Sequence, residues 1–453
     1  MIDTNRQDYK KDLEEVIFMF SSGENISISH FEENDGKTFK DKFIFLGKEY
    51  NFTNHKQIDG ELELKRYEKR FSKLGLYKIL AEHFKVDYEW GALTGIRPVR
   101  MAYSLKNDYE KELKEVFYVS DKKIELVKDV LKTQENIIDK DGKYSDLFIS
   151  VPFCPTRCAY CSFVSEEISK CKHVDKYIDT LVYEIENSLK LCKNLRSVYI
   201  GGGTPIALKN EQLIKILKVL QPALNGDIEF TVEAGRPDVI TEEKLKILKE
   251  YKVNRICVNP QTFSDKTLTL IGRKHSASSV IEKYNLAKNY GFIINMDVIA
   301  GLPEESFSDF KNTVDTVINL NPDNFTVHTL CLKKGSILKE KVKRLEIGEI
   351  SKMTDYAYNS AKENGYNPYY LYRQKYAADN LENVGYSKPQ KECVYNIDVM
   401  EETSNNIACG ANAVSKRVFK EKNQIERYGA PKDILTYINK VNEIIKAKEQ
   451  LFS

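Results

Sequence analysis

Between Leu147 and Thr329 the chain alternates short apolar runs with longer segments of helical period, and this alternation limits the possible fold more than any other feature. The apolar runs are Leu147–Val151, Ser197–Ile200, Asp227–Glu233, Val253–Val258, Phe292–Ile299 and Asn324–Thr329. Between them lie Asp175–Leu191, Glu211–Leu220, Thr241–Glu250, Ser278–Tyr290 and Phe307–Leu320, with Thr241 placed as an N-cap. Strands that alternate with helices pair in parallel and are joined by right-handed crossovers. Six such units predict an α/β protein with a partial (β/α)6 barrel, since a closed eightfold barrel usually needs about 250 residues. Sites in such folds form at the C-terminal ends of the strands.

The flanking segments read differently. Residues 1–145 are expected to form an N-terminal α+β domain. "EEVIFMF", "NISISHFEE", "FKDKFIFLG" and "KEYNFTN" suggest a small antiparallel sheet, broken by Gly23, Gly36 and Gly47. From Glu61 the pattern turns helical and charged, followed by the turn-rich "WGALTGIRPVR" with the only tryptophan, Trp90. The polar "DKDGKYSD" at 139–146 marks a boundary. Residues 146–370 are assigned to the barrel and 371–453 to a small C-terminal α/β extension ending in the helix "KDILTYINKVNEIIKAKE". A formal net charge of +2 gives no bulk attraction to nucleic acid or an anionic membrane. No apolar run reaches the ~18 residues of a membrane span, and the N-terminus is too charged for a signal peptide. A cytoplasmic protein is expected.

Nine cysteines are present. Cys171, Cys192, Cys257, Cys331, Cys393 and Cys409 are scattered singly, as buried small apolar residues would be. The other three, Cys154, Cys158 and Cys161, crowd into "CPTRCAYC" just past the first barrel strand. A zinc site would want a fourth ligand at short spacing, and His173 alone does not supply a pair. A redox C-x-x-C would leave Cys154 unexplained. The spacing C-x3-C-x2-C suits three irons of a [4Fe–4S] cube, with the fourth iron open to a small molecule.

Further polar signals fall at later strand ends. "VYIGGGTPIAL" closes the second strand, and its glycines let backbone approach a ligand; a tight turn would use them equally. "FTVEAGRP" ends the third with Glu233, a carboxylate able to accept from a ribose or ammonium, or an ordinary strand-end charge. "NRICVNPQTF" ends the fourth with Gln261, and "LIGRKHS" follows with Arg273, the natural fork for a carboxylate. "INMDVIAGLPEES" ends the fifth with Asp297.

The cysteine spacing resembles that of the radical S-adenosylmethionine (radical SAM) enzymes. In that superfamily the open iron binds SAM, one electron from the cluster cleaves it, and the resulting 5′-deoxyadenosyl radical takes hydrogen from substrate. The ordered set P-F-C-x3-C-x-Y-C, G-G-G-T-P, strand-end Glu, Q-x-F, G-R and D-x-x-x-G-L-P resembles the oxygen-independent coproporphyrinogen III oxidases (dehydrogenases) over roughly residues 146–418, including "YRQKYAADNLENVGY" and "ACGANAVSK". The resemblance implies a radical SAM barrel, cluster ligation by Cys154, Cys158 and Cys161, and SAM contacts at Tyr160, Gly202, Gly203, Thr204, Glu233, Gln261, Arg273 and Asp297. It also implies a porphyrinogen substrate, oxidative decarboxylation of propionates in haem biosynthesis, and a one-electron donor such as flavodoxin or ferredoxin.

Three departures from the family pattern bear on activity. Phe148 and Ser150 stand where the family often has Tyr and His, and Phe163 stands where the bacterial decarboxylase carries a further Cys. Haem chaperones of the same family carry H-N-x-x-Y-W where this chain has "YNIDVM", residues 395–400, without the His, Tyr or Trp. "WGALTGIRPVR" and "CPTRC" resemble the HemZ-like branch. There Arg97 and Arg100 either hold substrate propionates or belong to a helix-start turn. A haem or porphyrin carrier and a radical SAM methyltransferase acting on haem are the alternatives to the decarboxylase.

Overall fold

The computed structural model describes all residues except 21–25, 95–96, 162–164, 332–348, 375–376 and 423. The chain divides into two compact units, Met1–Lys128 with Tyr372–Glu382, and Asp129–Leu371 with Asn383–Ser453.

In the first unit, strands β1 (Ile2–Thr4), β2 (Ile28–Asn34), β3 (Thr38–Phe45) and β4 (Lys48–His55) form one sheet in that order. β2–β3–β4 are antiparallel, and β1 pairs with β2 in parallel because helix α1 (Lys10–Phe20) returns the chain between them. The strand expected at "EEVIFMF" is therefore the end of a helix. Leu13, Val16, Ile17 and Phe20 are buried at i, i+3, i+4 and i+7 while Phe18 is exposed; that period is visible only when the charged residues before Glu14 are included. Helix α2 (Glu61–Phe84) packs Leu76, Ile79 and Leu80 into the same core. Helix α3 (Pro98–Leu105) starts on a proline, and α4 (Asp121–Gln134) follows. Trp90 is fully buried, and its indole N–H donates to Glu382 Oε2 at 2.6 Å.

The second unit holds the predicted parallel strands: β5 (Ser145–Val151), β8 (Leu195–Gly202), β9 (Glu229–Val232), β10 (Arg255–Cys257), β11 (Ile293–Ala300) and β12 (Asn324–Thr329). They are neighbours in that order and parallel throughout. The two-residue strands β6 (Phe153–Cys154) and β7 (Glu166–Glu167) pair separately. The intervening helices are α5 (Val174–Leu189), α6 (Asn210–Leu220), α7 (Glu242–Glu250), α8 (Asp265–Leu270), α9 (Ala277–Asn289) and α10 (Phe307–Leu320). Thr241 caps α7 by accepting from Lys244 N at 3.3 Å.

Among the described residues the sheet does not close. Helix α11 (Glu349–Glu363) leads to β13 (Asn367–Arg373) and β14 (Glu382–Ser387), and β14 runs antiparallel to β12. On the other side, helix α12 (Val394–Glu401) leads to β15 (Asn405–Cys409), which is parallel to β5 and followed by the antiparallel β16 (Val414–Phe419) and β17 (Gln424–Gly429). The segment read as a C-terminal extension thus continues the barrel sheet on both edges. Helices α13 (Ile434–Asn439) and α14 (Val441–Phe452) end the chain.

One face of every barrel strand is apolar and sealed by helices: Val198, Ile200, Phe230, Val232, Met296, Val298 and Phe325 are at most 1 % exposed. The opposite face is polar, with Tyr199, Thr231, Asn295, Asp297 and Thr326 at alternate positions. Arg255 on β10 reaches Asn324 on β12 past β11, so the sheet curves toward this polar face. Among the described residues no helix is long and apolar enough to cross a membrane.

Candidate active site

The cysteine loop leaves β5 at Pro152 and is pinned at both ends. Glu166 N donates to Pro152 O at 2.9 Å, and Ile168 N to Cys154 O at 2.9 Å. In its middle, Ala159 N donates to Ile271 O at 2.9 Å, which ties the loop to the end of α8. Cys158 is buried, and Cys154 and Cys161 are half-buried. Phe163 lies outside the described residues. Among the single cysteines, Cys257, Cys393 and Cys409 are buried as expected, whereas Cys171, Cys192 and Cys331 are half-buried.

Two polar groups address the loop sulfurs. Thr204 Oγ1 donates to Cys154 Sγ at 3.6 Å, and Arg236 Nη1 donates to Cys158 Sγ at 3.7 Å. Among the described residues no three His, Cys, Asp or Glu side chains converge on one metal-ion position. A cubane asks for something different, a separate iron for each thiolate. Three thiols on one short loop, two of them with donors that favour negative sulfur, are a donor set of that kind.

The glycine turn is shaped by close approach. A Cβ on Gly203 would stand 2.6 Å from Phe153 O and 2.7 Å from Val151 O, so side-chain-free backbone is required there. The same contact lets Thr204 N donate to Phe153 O at 2.7 Å, and it seats the turn against the cysteine loop. A Cβ on Gly201 would meet the Glu233 carboxyl at 2.8 Å.

Glu233 directly follows β9, and its carboxylate accepts from Tyr199 OH at 2.8 Å. Burial raises its pKa to about 7, and the nearby Asp297 charge adds to this. Between its ordinary pKa of 4.5 and about 7 the folded chain therefore holds a proton that the unfolded chain has released. Stability falls as pH rises through that window, and the full cost, on the order of 3 kcal/mol, is present above it. Glu233→Gln lacks this cost. In urea titrations its stability relative to the wild type is expected to climb with pH across the window and level off above it; a pH-independent difference would refute the assignment.

Gln261 has a left-handed backbone, φ +67°, and β11 fixes it from both sides. Its N–H donates to Asp297 O at 2.9 Å, and its carbonyl accepts from Ile299 N at 2.9 Å. Asp297 accepts from Asn259 Nδ2 and Asn295 Nδ2, each at 2.7 Å, with His328 Nε2 at 3.7 Å. Burial alone would raise this carboxyl, but His328, Asn295 and Thr326 outweigh it and hold the pKa below the ordinary value.

Arg273 is buried beneath the cysteine loop. Its Nη1 donates to Gly235 O at 2.8 Å and its Nη2 to Tyr160 OH at 2.9 Å, while Nε has no hydrogen-bond partner among the described residues. Burial pushes the Tyr160 hydroxyl up, so it stays protonated. A buried guanidinium with an unused N–H is suited to a carboxylate. Arg97 and Arg100 lie in the other unit, at the N-terminal end of α3, and both are half-buried.

Several polar neighbours of these residues carried no motif that singled them out in the sequence. Arg236 sits three residues after Glu233 in "EAGRPD", while Asn259, Asn295 and His328 occupy inward positions two residues from residues already singled out or paired with them. Period-two alternation of polar residues in apolar strands was the available signal for Asn295 and His328. Of the departures, Phe148 stacks on Tyr199 with centroids 6.3 Å apart, and Ser150 Oγ donates to Ala411 O at 2.8 Å. Tyr395 stacks on Tyr199 at 4.5 Å, and the N–H groups of Val394 and Tyr395 cap on Glu229 at 2.9 and 3.1 Å.

Residues 148–317 match the Radical SAM superfamily model. The oxygen-independent coproporphyrinogen-III oxidase-like protein HemZ of Bacillus subtilis is 37% identical over 399 residues, 83% of this chain and 80% of that protein. The heme chaperone HemW of the same organism is 35% identical over 196 residues, which is 42% of this chain and 51% of HemW. In fold, the chain is similar to coproporphyrinogen III oxidase (HemN) from Escherichia coli, a radical SAM enzyme, with a TM-score of 0.55 and 21% identity over 69% of this chain and 72% of that one. Identity sustained along four-fifths of HemZ, on a barrel whose first strand opens into a three-cysteine loop, places the chain in the HemZ group of oxygen-independent coproporphyrinogen-III oxidase-like proteins, within a superfamily that works with a [4Fe–4S] cluster and S-adenosylmethionine.

Proposed function

We propose that this chain is an oxidoreductase that decarboxylates propionate side chains of coproporphyrinogen III to vinyl groups, giving protoporphyrinogen IX. Each propionate gives up one hydrogen atom, CO2 and one electron. The observation that carries this reading is the convergence of the cysteine loop, the glycine turn, Glu233, Arg273 and Asp297 at the strand ends of one polar-lined barrel. Cys154, Cys158 and Cys161 are assigned to the cluster. Tyr160, Gly202, Gly203, Thr204, Glu233, Gln261, Arg273 and Asp297 are assigned to SAM. When bound, cluster and SAM supply an electron and a hydrogen-abstracting radical.

The chain's own residues hold and orient. Arg273 offers a carboxylate its Nε, which has no partner among the described residues, Tyr160 stays a neutral hydroxyl fixed by Arg273, and Asp297 and Glu233 present acceptors for ribose or ammonium groups. The apolar outer face of the strands keeps water from reaching the site through the sheet. The proposal extends to Arg97 and Arg100 as partners for propionates, on the chemistry of the guanidinium. It also extends to a flavodoxin or ferredoxin donor and a cytoplasmic setting without nucleic acid.

A haem carrier is the second reading, favoured by the similarity to HemW. Against it, Tyr395 is packed on Tyr199 and its helix start is capped by Glu229, so the segment matching the chaperone motif is engaged in barrel packing. Incubation of the reduced, reconstituted protein with SAM and coproporphyrinogen III, followed by mass analysis, separates the two. Products lighter by one and two CO2 are expected. Stoichiometric haem binding with no loss of CO2 would establish the carrier instead.

A further inference from the structure

Two buried arginines flank the cysteine loop, and their donors are used differently. Arg273 keeps an Nε without a hydrogen-bond partner among the described residues. Arg236, 3 % exposed, is committed on both sides of its fork. Nε and Nη2 donate to the two oxygens of Asp238, each at 2.9 Å. Nη1 donates to Thr156 Oγ1 at 3.0 Å and to Thr156 O at 3.3 Å, and faces Cys158 Sγ at 3.7 Å. The bidentate pair fixes the guanidinium plane, so its direction toward the sulfur is set before any ligand arrives. Behind it, His275 is buried with Nδ1 at 3.9 Å from Asp238 Oδ1, and neither ring nitrogen has a hydrogen-bond partner among the described residues.

We infer that Arg236, oriented by Asp238, is a positioning residue that raises the reduction potential of the cluster assigned above to Cys154, Cys158 and Cys161. The inference rests on that cluster assignment. Reduction adds one negative charge to the cluster and its thiolates. A buried cation and an N–H directed at one ligating sulfur stabilise the reduced form more than the oxidised one, and hydrogen bonds to sulfur and local charge are the protein's means of setting such potentials. The role is separate from SAM binding because nearly all of the Arg236 donors are already engaged.

The test is the midpoint potential of the anaerobically reconstituted protein, followed by electron paramagnetic resonance without SAM or substrate. Arg236→Met is expected to disfavour reduction about tenfold, a downward shift of about 59 mV for one electron. Arg236→Lys, which keeps the charge but cannot span Asp238 and Cys158 together, is expected to shift less in the same direction. Iron-loaded Arg236→Met at the wild-type potential would overturn this inference alone. Were Arg236→Met to assemble no cluster, an unchanged potential in Arg236→Lys would overturn it equally. Loss of iron from both variants with wild-type circular dichroism would assign Arg236 to holding the loop, and overturn it too. A wild-type chain that took up no iron would overturn the cluster assignment first.

Discussion

Cys158→Ala is expected to bring the anaerobically reconstituted chain from about four irons to almost none, with loss of the broad visible absorbance of the cluster. Cys158 is the central and most buried thiol of the loop, and the Arg236 guanidinium addresses its sulfur. Removing it leaves two thiolates for a cube proposed to take three from this chain. Cys192→Ala is the control. Burial pushes the Cys192 thiol up to about 12, so it is not poised to become a thiolate ligand, and it lies outside the loop. Iron content measured on both variants decides the matter, since a Cys158→Ala protein with wild-type iron would remove the basis of the proposed chemistry.

Lys448→Ala is expected to destabilise the fold by about 3–5 kcal/mol, the cost of stranding a buried charge. Lys448 on α14 and Glu184 on α5 are paired at 2.7 Å with side chains 1 % and 0 % exposed. Glu184 also accepts from Tyr437 OH at 2.5 Å and from Gly410 N at 2.8 Å. Tyr177 OH, beside it, donates to Ser150 O at 2.8 Å and accepts from Ala411 N at 3.0 Å. This network fastens the "ACGANAVSK" loop to the end of β5, directly before the cysteine loop. Urea unfolding reads the loss. Combining Lys448→Met with Glu184→Leu removes both charges and is expected to recover much of it. A loss below about 1 kcal/mol in Lys448→Ala would show that the pair does not hold this end of the chain.

The architecture of the barrel was largely legible. Phe307–Leu320 and Asn324–Thr329 occupy the expected bounds, and Thr241 makes the expected cap. These features are encoded within a few residues, by an apolar period or by one side chain reaching its own backbone. Expectation failed at "EEVIFMF", where a continuous apolar run carries no period of its own and the helix is decided by residues before it. The C-terminal segment was read only as a small α/β extension; its strands lie on both edges of the barrel sheet, a placement no local pattern carries.

The site divides in the same way. By itself the sequence determined which chemistry is available: three thiols at C-x3-C-x2-C, a glycine turn, and carboxylates, an amide and an arginine in order along successive strand ends. Tertiary structure alone decided which groups meet. Arg236 addresses a sulfur 78 residues away, and Lys448 neutralises a carboxylate 264 residues away. No local pattern marks such pairs, because their free energy comes from burial that exists only once the sheet has curved and the last helix has docked.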